Sequence, residues 1–114
     1  MSNSVSALAD YSTTEQVVGT WLDGKPVYRK VCLLSGMIRD TLVEIPTGLQ
    51  DVKAVIRLDA MIYANNNFTP IYVGTSYVGF CWYDGTNNTF HCRQFFGADY
   101  TNGFAIVEYT KTTD

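Results

Sequence analysis

A chain of 114 residues with 46% hydrophobic and 17% charged residues has the make-up of one globular domain, large enough for a single core and far from the disordered class. Its net charge of −3 comes without any basic run, so the cationic footprint that nucleic-acid binding needs is missing. No apolar run approaches the ~20 residues of a membrane span, and the opening MSNSVSALAD has neither the cationic start nor the apolar stretch of an export signal.

Along the chain, apolar residues recur with period two and almost never with the helical period. Residues Ser2 to Gln16 are the one place for a short helical turn, with Ser12 or Thr13 as cap and Glu15 near the capping-box position. Next comes VVGTWLDGKPVYRK, Val17 to Lys30, where a turn dipeptide stands between two β-branched and aromatic runs. Asp23-Gly24 supplies the positive backbone angle of a tight hairpin turn, and Pro26, which has no N–H to donate, belongs at an edge, a strand start or a bulge. With a three-residue loop, Trp21 is expected opposite Val27 and Val17 opposite Val31. Trp21 and Tyr28 read as core or interface aromatics rather than ligand contacts.

Further strands are expected over Met37 to Ile45, ended by Pro46, and over Val52 to Tyr63. In the latter, Val52, Ala54, Ile56, Leu58, Ala60 and Ile62 form the buried side, with Lys53, Arg57 and Asp59 opposite. After the polar insert Asn65-Asn66-Asn67 and Pro70, a short strand is expected at Ile71 to Val73. Val78, Phe80 and Trp82 alternate with Tyr77, Gly79, Cys81 and Tyr83. The turn-rich stretch Asp84-Gly85-Thr86-Asn87-Asn88 and the β-branched and aromatic run Thr89 to Phe96 complete a second hairpin. Phe104 to Tyr109 is the last strand. Turn signals about every ten residues predict an all-β sandwich or barrel.

The three cysteines are too few for a disulfide scaffold and have no zinc spacing. Free thiols are the expected state, although Cys81 and Cys92 fall opposite each other across the second hairpin. His91 is the only histidine. It lies in a strand, and no nucleophile or carboxylate is spaced around it for catalysis. Nor do the 11 acidic residues contain a pair set apart for glycan hydrolysis. The 84–88 loop offers oxygen ligands to a calcium ion but lacks the acidic spacing of a calcium loop, so a plain turn is expected. Neither an enzyme, a cofactor nor a metal is expected.

The segment YSTTEQVVGTWLDGKPVYRKV (Tyr11–Val31) resembles the opening of the C-terminal domain of many phage and prophage tail-fibre, or receptor-binding, proteins, and EYTKTTD (Glu108–Asp114) resembles that family's ending. Roughly a quarter of the chain carries the resemblance, at its two ends; the middle is compatible but carries no matched motif. The resemblance implies a small antiparallel β-sandwich, jelly-roll-like, with an N-terminal arm over 1–14 and one domain over 15–114. It also implies assembly as a homotrimer at a fibre tip, and a virion component made in the bacterial host cytoplasm. Its partners would be other virion proteins and a host-surface polysaccharide or protein. On that reading the first hairpin, with Trp21, Asp23, Gly24 and Pro26, is scaffold. A structural virion domain without a receptor, such as a head fibre, decoration protein or trimerisation cap, is the alternative.

The receptor contact is expected at the second hairpin: Tyr77, Trp82, Tyr83, Asn87, Asn88, His91 and Arg93. A five-residue polar loop needs no Asn-Asn pair merely to turn, and the flanking aromatic and cationic side chains offer stacking surface and donors. Alternation puts Trp82 with Val78 and Phe80 on the side expected to be buried, and Tyr83 with Tyr77 on the side expected to be exposed.

Overall fold

The structure is a computed structural model, which describes residues 11–71 and 79–114. Two antiparallel sheets face each other. Their strands are β1 (Gln16–Thr20), β2 (Pro26–Leu34), β3 (Val43–Pro46), β4 (Val52–Ala64), β5 (Asn67–Ile71), β6 (Gly79–Asp84), β7 (Thr89–Gln94) and β8 (Asn102–Lys111). The larger sheet runs β1-β2-β8-β4-β5 and the smaller β3-β7-β6. Between them Leu34, Ile62, Ala105, Val107 and Tyr109 of the larger sheet meet Ile45, Cys81, Phe90 and Cys92 of the smaller. Met37, Leu49 and Tyr100 fill the space from the connections.

The first hairpin has the three-residue loop but a different register. The Trp21 N–H donates to the Lys25 carbonyl at 2.8 Å and the Gly24 N–H to the Trp21 carbonyl at 2.9 Å. Gly24 takes the left-handed angle, φ 81°, so the turn closes on Leu22, Asp23 and Gly24. The Asp23 side chain accepts from the Lys25 N–H at 3.0 Å. Val27 faces Gly19 and Val17 faces Tyr28, with an irregularity at Val18, so the expected Trp21–Val27 and Val17–Val31 pairs do not form. Trp21 lies at the exposed mouth of the hairpin, opposite Lys25. Pro26 pairs with Thr20 at the start of β2, two residues before that strand begins to pair with β8, so the β2–β8 ladder does not need its missing donor.

Before β1, residues 11–15 form no helix. The Ser12 hydroxyl accepts from the Thr14 N–H at 3.0 Å in a local turn, and the Ser12 carbonyl accepts from Val31 N–H at 2.8 Å. A hydroxyl that bonds its own neighbouring backbone in this way competes with the helix it would otherwise cap. The rest of the predicted turn lies outside the described residues.

Strand β4 departs from simple alternation. Its pairing with β8 skips a residue between Val52 and Ala54 and again between Val55 and Arg57. Each bulge inverts the facing of everything beyond it. The core side is therefore Val52, Val55, Leu58, Ala60, Ile62 and Ala64, so the expected even-numbered series holds at Val52 and from Leu58 onward but fails between the bulges, where Val55 replaces Ala54 and Ile56. The predicted Met37–Ile45 strand is shorter than expected: only Val43–Pro46 is a strand, and Met37 plugs the core from a loop, its N–H bonded to the Thr101 carbonyl. The Asn65–Asn67 insert forms a tight turn, Asn65 at φ 53°, and β5 starts there. Pro70 is tolerated because β5 is an edge strand. Of the strand predicted at 71–73, Ile71 ends β5 and the rest lies outside the described residues.

Glu15 ties the start of the domain to its last strand. Its carboxylate accepts from the Tyr109 hydroxyl and from Lys111 Nζ at 2.7 Å. Burial pushes this carboxyl up, but the bonds from Lys111 and Tyr109 and the nearby positive charge outweigh it and hold the group below its ordinary value. A depressed carboxyl stabilises the fold above its unfolded pKa of about 4.3 and loses that contribution as pH falls through the folded value. Glu15→Gln is expected to lower Tm by roughly 4 °C at pH 7, the difference from wild type shrinking as pH falls below the ordinary carboxyl range and through the folded value. Thermal unfolding followed by circular dichroism from pH 7 downward checks it.

Candidate functional site

The second hairpin pairs Cys81 with Cys92, Trp82 with His91, Tyr83 with Phe90 and Asp84 with Thr89. Phe90, Cys92 and Gln94 face the core, so their partners Cys81 and Tyr83 must face it too, since directly paired residues share a side of the sheet. This reverses the expectation for the two aromatics. Tyr83 packs inward, edge-on to Phe90 with centroids 6.1 Å apart, and Trp82 points out, 41% exposed. The two thiols stand 3.2 Å apart, buried and free. The hydrogen bond between them, together with burial, pushes the Cys81 thiol up, so it stays protonated.

The turn needs both of its asparagines. Asp84 accepts from the backbone N–H groups of Thr86 and Asn87 at 2.9 and 3.2 Å and from the Asn87 amide at 2.9 Å. The Asn87 backbone bond, with help from His91, Thr86 and the Asn87 amide, keeps the Asp84 carboxyl below its ordinary value. Asn88 adopts φ 57°. Its carbonyl oxygen accepts from the Thr47 and Tyr83 hydroxyls, each at 2.7 Å, and its amide donates to the Leu49 carbonyl. Asn87 thus shapes the loop and Asn88 clamps it to the segment after β3. The reason for expecting these amides to face a receptor does not hold.

What remains on the outer side of the small sheet is a continuous row. The Trp82 and His91 rings stack at 4.1 Å, 10° from parallel. His91 Nε2 lies 3.1 Å from Asp84 Oδ2 and 3.3 Å from Glu44 Oε1; both oxygens only accept, so Nε2 carries the hydrogen. His91 Nδ1 is buried without a hydrogen-bond partner among the described residues. In the next row Arg93 pairs with Phe80 and sets its guanidinium 5.1 Å from the Phe95 ring centre. The structure thus brings together Trp82, His91 and Arg93, adds Glu44 and Asp84, and turns Tyr83 inward. Tyr77 lies outside the described residues. Glu44 was missed because only the β3–β7 register, Glu44 opposite His91, brings it there.

The larger sheet also has an apolar outer side. Pairing aligns Leu33 with Phe104 and Met61, then Val31 with Ile106 and Asp59, then Arg29 with Glu108 and Arg57. Leu33 is 65% exposed. Tyr11, Val31, Phe104 and Ile106 line a wholly apolar depression of about 310 Å³. The charges bordering it are matched within the chain: Arg29 with Glu108 at 3.8 Å and Arg57 with Asp59 at 2.7 Å. The sequence carried a signal for this surface, since VCLL (31–34) and FAIV (104–107) are apolar at both parities, the mark of a strand covered on both faces.

Comparison with protein-family models, with curated proteins and with solved structures gives no match in any of the three.

Proposed function

We propose that this chain is a binding module of a phage virion, a jelly-roll-like fibre-tip domain. It attaches to a host-surface receptor, a glycan, through the outer face of the small sheet. The observation that carries this reading is the Trp82–His91 stack: a broad, partly exposed aromatic surface, with Glu44 and Asp84 against the imidazole and Arg93 in the next row. Stacking area beside fixed donors and acceptors is what sugar rings and interface hot spots use. The sequence resemblance at both chain ends supplies the fibre context.

On this reading three copies assemble through the apolar side of the larger sheet. An exposed face of this kind on a small domain marks an interaction surface, and charges already paired within each copy leave little to repel another. The same face favours the second reading, a structural virion domain that needs only self-assembly. Trp82→Ala separates the two. As a receptor module, the variant keeps its Tm and loses about 1 to 3 kcal/mol of attachment to cells or cell-wall glycan. As a structural domain, neither wild type nor variant attaches.

A further inference from the structure

We infer that the cleft between the β4–β5 turn and the loop leading into β8 is a second saccharide site, one that binds a single neutral sugar ring. Tyr63, Ala64, Asn65, Asp99 and Asn102 line an open, mostly polar cleft of about 370 Å³, within the roughly 300 to 1,000 Å³ of small-molecule sites. Several comparable side chains are committed to the fold: Asp84, Asn87 and Asn88 build a turn, and Gln94 bonds the backbone of Phe96 and Gly97. The Tyr63 hydroxyl, the amides of Asn65 and Asn102 and the Asp99 carboxylate make no hydrogen bond to any described residue. They come from separate parts of the chain and converge on one space.

Their chemistry selects the ligand. A carboxylate accepts from two neighbouring hydroxyls, and each amide both donates and accepts, which is the pattern a polyol presents. Tyr63 packs against the exposed Phe68 at 5.3 Å, giving an aromatic wall for the C–H face of a ring. Among the described residues no lysine or arginine lines the cleft, so it does not favour uronic or sialic acids. One carboxylate is too little for a divalent cation, and among the described residues no group of three His, Cys, Asp or Glu is placed to hold one. The site shares the glycan chemistry of the proposed function but lies on the other sheet, so it is tested separately.

The test titrates the isotope-labelled full chain with the methyl glycosides of glucose, galactose, mannose and N-acetylglucosamine, with glucuronate, and with calcium chloride. Amide NMR spectra are followed to about 50 mM, above the roughly millimolar Kd of a small ligand held by few contacts. At least one neutral glycoside should shift the Asn65 and Asn102 amides, with affinity falling at least fivefold in Asp99→Ala and in Asn102→Ala and unchanged in Trp82→Ala. No shift with any neutral glycoside, an equal response to glucuronate, or a response to calcium alone would each overturn the inference. Loss of the response in Trp82→Ala would overturn it too, because it would place the sugar on the small sheet.

Discussion

Leu33→Glu is expected to scatter light as a folded monomer of 12.7 kDa, while the wild-type chain scatters at three times that mass. Leu33 sits on the apolar side of the larger sheet, next to Phe104 of the central strand β8 in the ladder, and is 65% exposed. Within one chain its replacement therefore breaks no core contact and should move Tm little. In an assembly each copy would lose the roughly 1.5 to 3 kcal/mol gained by burying a leucine, and would place a carboxylate against apolar surface besides. Light scattering coupled to gel filtration at micromolar concentration decides it. A wild-type monomer would remove the trimer, and an unchanged trimer in Leu33→Glu would move its interface elsewhere.

Gly103→Ala is expected to be severely damaging, costing at least about 3 kcal/mol and roughly 15 °C in Tm. Gly103 pairs with Ile62 where β8 crosses β4, the central contact of the larger sheet. A Cβ built there runs into the Met61 carbonyl oxygen and lies 3.1 Å from Ile62 Cα and 3.2 Å from its Cγ2. The first two obstacles are backbone, so no side chain can turn aside to make room, and the two strands would have to separate. Thermal unfolding checks it. A fall of less than about 4 °C would mean that the strands yield far more easily than this packing implies.

Much of the architecture was legible because period-two patterning and turn residues are local properties. Both hairpins, the last strand and the Cys81–Cys92 pairing could be read directly. What escaped depended on partners distant in sequence. The bulges in β4 arise from its register with β8, and nothing within Val52 to Ala64 announces them. Alternation grouped Phe80 with Trp82 and Cys81 with Tyr83 correctly but carried no sign. The sign came from Phe90 and Cys92 on the neighbouring strand, whose inward position commits two smaller thiols to the core and leaves the indole outside.

The candidate site was legible to the same depth. Trp82, His91 and Arg93 stand out in sequence as aromatic and cationic residues around one hairpin, and the fold places them on one face. Asn87 and Asn88 drew notice for the right composition and the wrong reason, since an amide at φ 57° that clamps a neighbouring segment looks, in sequence, like one free to meet a ligand. Asp99 and Asn102 join Asn65 only through the β4–β8 ladder, so their cleft had no local signal at all.

Attachment through the Trp82–His91 face is open to one binding measurement. Labelled wild-type chain and Trp82→Ala, both confirmed folded, are incubated with cell-wall fractions from a panel of bacteria, and retention is quantified. At least one fraction should retain the wild type, and the variant should be retained there at least about tenfold less, the equivalent of about 1.4 kcal/mol. Retention of the wild type by no fraction, or equal retention of the two proteins, would contradict it.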